Sequence, residues 1–386
     1  MLHRPARLIE PEIVVNGRFL TQAMTGVQRF ATEVTKSIDE LIDSGEYGEL
    51  AGRITILAPR AARDFSLRHI PMRRCGVGGG YFWEQVELPL YARGRLLLNF
   101  CGLGPVVTRD QIVVVHDATP LARPATFSPR FRAAYKFLVP RLCRRALGTA
   151  TVSEFSRREI AKWYGADVSA MSVCYLGADH IAKVVADNSI IQRLGLADRK
   201  FFLCVGIGHN KNHEVLSAAF EKAGIPDCLL VYTGRRDPKI NAPRSDVLLE
   251  GVRYAGRVSD PELRALYAHA EALVFPSYYE GFGLPPIEAM VCGCPAIISN
   301  QPALVEMAGD AALQCRADDT NELARLMRLI HDDPARRESL IAAGRMRSAR
   351  FTWEATARNL LALCAQVAGG HDAGQPFSPD AHRARF

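Results

Sequence analysis

The sequence predicts an α/β protein built from two doubly wound, parallel-sheet (Rossmann-like) domains. Three observations carry that prediction. Short apolar runs alternate with helical patterns from one end of the chain to the other. The runs are uninterrupted and rich in β-branched residues, and they form two series separated near residues 178–198. Uninterrupted runs suit strands buried on both faces, and helices between successive strands impose parallel pairing. At 386 residues the chain also exceeds one ordinary core.

In the first series the strands are expected at EIVVN (12–16), RITIL (53–57), LLLNF (96–100), IVVVHD (112–117), TATVS (149–153) and SVCYL (172–176). In the second they are expected at FFLCVG (201–206), CLLVYTG (228–234), EALVFP (271–276), PAIIS (295–299) and AALQC (311–315). The boundaries that follow are a first domain over 1–185 and a second over 186–368. A last helix over about 351–367, FTWEATARNLLALCAQV, is expected to pack back on the first domain. The polar tail 369–386, rich in Gly, Pro and His, is expected to be disordered. Ligands of such folds lie beyond the carboxyl ends of the strands, so the two domains are expected to face each other across a cleft.

Composition is globular, with 48% hydrophobic and 23% charged residues and a mean hydropathy of −0.02. No run of about 18 apolar residues suggests a membrane span. MLHRPARLIEPEIVVNG, at the start, is too interrupted by charge for a signal peptide, so a cytosolic protein is expected. Ten cysteines are scattered without a C-x-x-C pair, which argues for reduced thiols packed as small hydrophobes and against structural zinc. The charge is uneven: residues 1–180 hold 24 Lys and Arg against 17 Asp and Glu, and this excess accounts for the whole +7 of the chain. Residues 121–165 alone carry ten basic side chains against Glu154 and Glu159.

The stretch VFPSYYEGFGLPPIEAMVCGCPAIISN (274–300) holds the densest pattern. A strand-like run leads in, a helix-like run leads out, and Glu280 and Glu288 flank the turn, placed so that both carboxylates would face one cleft. Gly281 and Gly283 permit close backbone approach. Pro285 and Pro286 suit a first helical turn. The amides of Phe282, Gly283 and Leu284 would then point at an anion, most simply a phosphate. Glu288 equally suits a plain role as a charge that complements the helix dipole.

As a whole this string resembles the E-x7-E signature of the retaining glycosyltransferases of the GT-B fold, family 4, with seven residues between Glu280 and Glu288. LYAHAEALVFPSYYEGFGLPPIEAMVCGCPAIISN (266–300), VEMAGDAAL (305–313) and RFTWEATARNLL (350–361) are similar to the family in order and spacing. The likeness covers most of 201–361 and continues more weakly through the first half. It implies an acceptor-side first domain and a nucleotide-sugar-binding second domain.

The resemblance also implies roles. Glu280 would bind hydroxyls of the donor sugar, Glu288 the ribose, and Phe282, Gly283 and Leu284 the pyrophosphate or sugar. Lys211, in VGIGHNKNHEVLSAAF (205–220), would stabilise the leaving diphosphate. The family commonly has an arginine shortly before that lysine; here Ile207, Gly208, His209 and Asn210 stand there, so either another cation substitutes, Arg235 or Arg236, or phosphate binding is weaker. Arg257 and Val258, in YAGRVSDPELRALYAHA (254–270), would read the nucleobase edge, beside an N-cap at Ser259 or Asp260 followed by Pro261 and Glu262. In the first half Gly26 would let backbone approach the donor phosphate or acceptor, Arg29 would open the next helix, and Ser153 with Glu154 would cap another. His116 ends a strand beside Asp117, where family members place a histidine or acid close to the donor sugar; a structural hydrogen-bonder is the other reading.

No D-x-D tripeptide occurs, so the expected reaction needs no metal and no cofactor beyond the GDP- or UDP-linked donor. The second half is most similar to mannosyltransferases that build polysaccharide repeats, which implies GDP-mannose and a saccharide acceptor, lipid-diphosphate-linked in many relatives. Residues 128–148 interleave cations with Phe131, Tyr135, Phe137, Leu138 and Leu142. They read either as a surface helix with a basic outer face or as a patch that meets the anionic lipids of a cytosolic membrane face or a lipid-diphosphate acceptor; nothing else in the chain resembles a nucleic-acid module. Two other functions share the scaffold: a nucleotide-sugar epimerase or hydrolase, and a catalytically silent nucleotide-sugar binder.

Overall fold

A computed structural model describes residues 13–234 and 251–368. The chain divides into unit 1, residues 1–175 with 353–386, and unit 2, residues 176–352. Arg235, Arg236 and the tail beyond residue 368 lie outside the described residues.

Unit 1 holds seven strands: β1 (Ile13–Asn16), β2 (Ile54–Ala58), β3 (Met72–Arg74), β4 (Leu96–Asn99), β5 (Gln111–Val114), β6 (Gly148–Thr151) and β7 (Ser172–Val173). They form one sheet in the order β3-β2-β1-β4-β5-β6-β7, with every pair parallel. Successive strands run one way from β1 to β3 and the other way from β4 to β7, so the switch point lies between β1 and β4. The central strands are buried on both faces, as their apolar runs require. One core gathers Val14, Leu57, Trp83, Leu88 and Leu97; another gathers Val113, Val115, Val139, Leu142 and Ile160. Trp83 is fully buried, yet its indole N–H is satisfied by the Cys75 carbonyl at 2.9 Å.

The helix Trp353–Ala368 completes unit 1 from the far end of the sequence. It packs on the helix Gly26–Asp43 and on β6, where a side chain at Gly148 would meet Leu363 and Val367 within 3.3 Å. Thr356 Oγ1 donates to the Tyr175 carbonyl at 2.7 Å, and Arg358 forks onto Glu46 with two contacts of 2.7 Å.

Unit 2 holds β8 (Lys200–Val205), β9 (Cys228–Thr233), β10 (Val252–Gly256), β11 (Ala272–Phe275), β12 (Ala296–Ser299) and β13 (Leu313–Cys315). The order β10-β9-β8-β11-β12-β13 is again all parallel, with the switch point between β8 and β11. Phe202, Leu230, Tyr232, Val274 and Ile297 from the sheet pack with Leu216 and Met327 from helices.

Two of the expected helix caps are present. Ser153 caps the helix Glu154–Tyr164, accepting from the Ser156 amide at 2.9 Å. Ser259 and Glu262 form a reciprocal capping box at the start of Asp260–His269, a device worth about 1 kcal/mol. All ten cysteines are unpaired, and burial pushes thiols such as Cys204 and Cys294 up to about 12. Among the described residues, no helix is long and apolar enough to cross a membrane.

Candidate functional site

At a switch point the loops leaving two adjacent strands diverge, and the space between them accepts a ligand. In unit 2 those loops follow β8 and β11, and each carries one of the expected residues. After β8, Gly206 takes the left-handed conformation (φ 87°) and a short turn, His209–Lys211, delivers Lys211. After β11, residues 276–283 deliver Glu280. The Lys211 ammonium donates to Glu280 Oε1 at 2.7 Å and lies 4.1 Å from the Phe275 ring centre. Both partners keep access to solvent, with side chains 21% and 18% exposed. Lys211 is therefore a paired, partly exposed cation at the switch point.

Three further hydrogen bonds hold these loops. The Tyr278 amide donates to the Asn210 carbonyl at 2.8 Å, and Asn212 Nδ2 donates to the Pro276 carbonyl at 3.1 Å and to the Ala317 carbonyl. Asn212 holds φ 57°, an uncommon conformation that these bonds over-determine.

The helix Leu284–Val291 starts where the sequence places it, with Pro285 and Pro286 in its first turn and Gly283 as N-cap at φ 101°. No side chain caps it, so the first-turn amides keep the partial positive charge of a helix start. Phe282 is buried and packs edge-on to Phe351 at 5.7 Å. Its ring is part of the core, which leaves the backbone as its route to any ligand.

The two glutamates are not equivalent. The sequence reading set both carboxylates on one opening; in unit 2 only Glu280 is open, because Glu288 lies one turn into the helix and is buried. Tyr267 donates to Glu288 Oε2 at 3.0 Å, and His180 Nε2 lies 3.2 Å from Oε1. Tyr267 and His180 carry no signal in the sequence; they emerge from the fold of unit 2 alone. Arg257 is exposed and Val258 half-buried, both directly after the carboxyl end of β10. Arg235 falls outside the described residues, so the substitution expected for the missing arginine has no structural counterpart here.

In unit 1, His116 stands two residues beyond β5 and binds the Phe100 carbonyl, just past β4, at 2.7 Å through Nε2. The ring also meets Phe30 edge-on at 5.0 Å. Burial holds this imidazole below the usual histidine range, with the Phe100 carbonyl and Asp117 pulling the other way. Gly26 opens the helix Gly26–Asp43, and a Cβ there would meet nothing within 4 Å, so the backbone is accessible. Arg29 follows in the first turn, 3.5 Å from Glu33.

The depressed His116 and His213 have a measurable consequence. His213 is lowered chiefly by burial, then pulled up by the Gly206 carbonyl and down by Lys211. A histidine whose folded pKa lies below its unfolded value of about 6.5 binds protons more tightly when unfolded. Its contribution is complete above that value and is lost as pH falls through it. Urea unfolding midpoints should therefore drop between pH 7.5 and 5.5, and His116→Gln should flatten the drop. An unchanged slope in the variant would assign the effect elsewhere.

Comparison with known proteins bears on the family and the fold. The family model for glycosyl transferases, group 1, matches residues 187–347. O-antigen chain mannosyltransferase B of Escherichia coli is 32% identical over 259 residues, 63% of this chain and 67% of that protein. Among solved structures, sucrose-phosphate synthase from Thermosynechococcus elongatus superposes with a TM-score of 0.71 at 20% identity, covering 93% of this chain and 99% of that one. Anabaena HepE in complex with UDP and glucose gives 0.67 at 16%, covering 92% and 100%. At those identities the structural likeness establishes the fold, which is GT-B, with two Rossmann-like parallel-sheet domains. The sequence likeness goes further: the chain belongs to the glycosyl transferases group 1 family.

Proposed function

We propose that this glycosyltransferase moves a hexose from a nucleotide diphosphate sugar to a saccharide acceptor, with retention, as family 4 enzymes do. The observation that carries the reading is the Lys211–Glu280 pair at the switch point of unit 2, beside the uncapped start of Leu284–Val291. A cation and a helix start favour the diphosphate, and the charge that builds on it as the sugar leaves. Glu280 is an acceptor for sugar hydroxyls. Glu288, held by Tyr267, is assigned to the ribose, and the backbone at Phe282, Gly283 and Leu284 to the pyrophosphate. Arg257 and Val258 are assigned to the base, Gly26 and His116 to the sugar end of the donor, and Arg235 to the phosphates. With Lys211 neutralising the leaving group and no D-x-D tripeptide in the chain, the reaction is assigned as metal-independent. GDP-mannose is the favoured donor, by similarity to a named mannosyltransferase.

Release of nucleotide diphosphate from a panel of GDP- and UDP-sugars, with and without a mannosyl acceptor, tests the reading. Release that depends on acceptor and on one donor is the expected result. Release without acceptor would make the protein a hydrolase or epimerase, and tight binding without release a silent binder.

The acceptor is assigned as lipid-linked because of the basic surface of unit 1. Arg130, Lys136, Arg144 and Arg145 are exposed on the helix Pro129–Arg145, and Arg158 and Lys162 on Glu154–Tyr164. Arg157, Arg158 and Lys162 line an open hollow of about 670 Å³. Phe137 and Trp163 add exposed rings, as expected of an anionic membrane contact on the inner face. Each cation near such a surface contributes about 1 kcal/mol. Arg144→Ser with Arg145→Ser should therefore weaken binding to phosphatidylglycerol vesicles by about tenfold or more, without changing binding to neutral ones. Equal binding of wild type and variant would leave a plain solvated helix.

A further inference from the structure

The switch point of unit 1 holds a buried polar cluster for which the donor chemistry has no use. Asn16 closes β1 and Asn99 closes β4. Asn16 Nδ2 donates to Asn99 Oδ1 and to Glu84 Oε1, both at 2.9 Å, and Asn99 Nδ2 donates onward to Gln111 at 2.9 Å. Arg18, in the turn after β1, donates from Nε to the same Glu84 oxygen at 2.9 Å. Glu84 is 0% and Arg18 5% exposed. The guanidinium carbon lies 4.6 Å from the ring centre of Tyr81, which is 45% exposed.

Two parts of this cluster are unfinished. Glu84 Oε2 is sealed from solvent and accepts no hydrogen bond from any described residue, a condition that costs on the order of 1–3 kcal/mol. Arg18 uses only Nε: neither Nη nitrogen has an acceptor among the described residues, and neither is sealed from solvent. Glu84 also sits in a π-turn, Trp83–Glu87, a distortion of helical hydrogen bonding found disproportionately at functional sites. An arginine fixed from behind by a carboxylate, with its outer nitrogens unused, is prepared for a ligand.

We propose that Arg18 recognises hydroxyl groups of the acceptor saccharide, with Glu84 as its positioning residue and Tyr81 as the surface on which the sugar ring packs. The proposal rests on the transferase reading above. The planar guanidinium presents paired N–H groups to two neighbouring oxygens. Glu84 fixes that plane and offsets its charge, so uncharged hydroxyls are favoured there over phosphate. The Tyr81 ring supplies the flat apolar contact of a sugar site.

The test uses the full chain and three variants, Arg18→Lys, Glu84→Gln and Tyr81→Ala. Binding of methyl α-mannoside and of inorganic phosphate is followed by ligand-observed NMR, and transfer to a mannosyl acceptor by steady-state kinetics. All three variants should raise acceptor KM and weaken mannoside binding by about tenfold or more (about 1.4 kcal/mol). Nucleotide affinity should hold, and kcat should change by less than about threefold. Tyr81 is half exposed, so Tyr81→Ala decides the matter if the buried variants do not fold. Unchanged acceptor KM and mannoside binding in Tyr81→Ala, or phosphate competing with mannoside in the wild type, would overturn the proposal. Failure of every donor to release nucleotide would instead sink the transferase reading, and mannoside binding would still decide the role of Arg18.

Discussion

Glu280→Gln should lower acceptor-dependent nucleotide release by about a hundredfold to a thousandfold while leaving the protein folded. The size follows from the role proposed for the pair: groups placed at developing charge are typically worth 10²–10³ in kcat. The small cost in stability follows from its exposure. Lys211 and Glu280 both remain solvent-accessible, and pairs of that kind contribute about 0–1 kcal/mol. Lys211→Ala should produce a loss of similar size, and the double variant should be little worse than either alone, because the two act on one bound donor. Release rates for the four proteins, with thermal unfolding as a check, test this. A drop of less than about fivefold for Glu280→Gln would remove the pair from the chemistry. Fully additive losses would mean that the two side chains serve separate ligands.

The largest loss of stability is expected from Gly283→Ala. Gly283 holds φ 101°, and a Cβ there would stand 2.3 Å from Leu304 Cδ2, a fully buried side chain, and 3.4 Å from Met307 Cε. The strain of the left-handed conformation and the forced shift of a packed leucine together should cost about 2–4 kcal/mol. For a unit of this size that lowers Tm by roughly 4–16 °C. Donor affinity should fall with it, since Gly283 opens the helix assigned to the phosphates. Gly26→Ala is the control: nothing lies within 4 Å of its Cβ, and stability should move by less than about 0.5 kcal/mol. Equal Tm values for the two variants would show that the Gly283 turn relaxes at little cost.

The positions of most strands along the chain and of the Glu280 turn were legible because both depend on local signals. Apolar runs marked eleven of the thirteen strands among the described residues. The two missing from that set, β3 with Arg73 and Arg74 and β10 with Arg253, are edge strands. An edge strand need not be apolar on both faces, so it can lack such a run, although β7 and β13 at the opposite edges have one. Lys211 and Glu280 were legible as separate residues, but their contact was not, since 69 positions separate them. Glu288 shows the opposite limit. Its spacing from Glu280 is plain in the sequence, while its burial depends on Tyr267 and His180, which only tertiary packing brings to it. Arg18 and Glu84 stood in the sequence as an arginine after a strand and an acid in an aromatic helix. A charged residue directly behind an apolar strand was the one available hint.

The helix Trp353–Ala368 belongs to unit 1, whereas all of unit 2 precedes it in the chain. During synthesis, the first 175 residues emerge without the segment that covers β6 beside Gly148, and they must wait for it. At ribosomal speeds of about 5–20 residues per second, the intervening segment takes on the order of ten to thirty seconds to appear. Unit 2 is one uninterrupted stretch and can mature in that interval. Unit 2 can then be finished first, while unit 1 keeps an apolar flank bare until residues 353–368 have emerged.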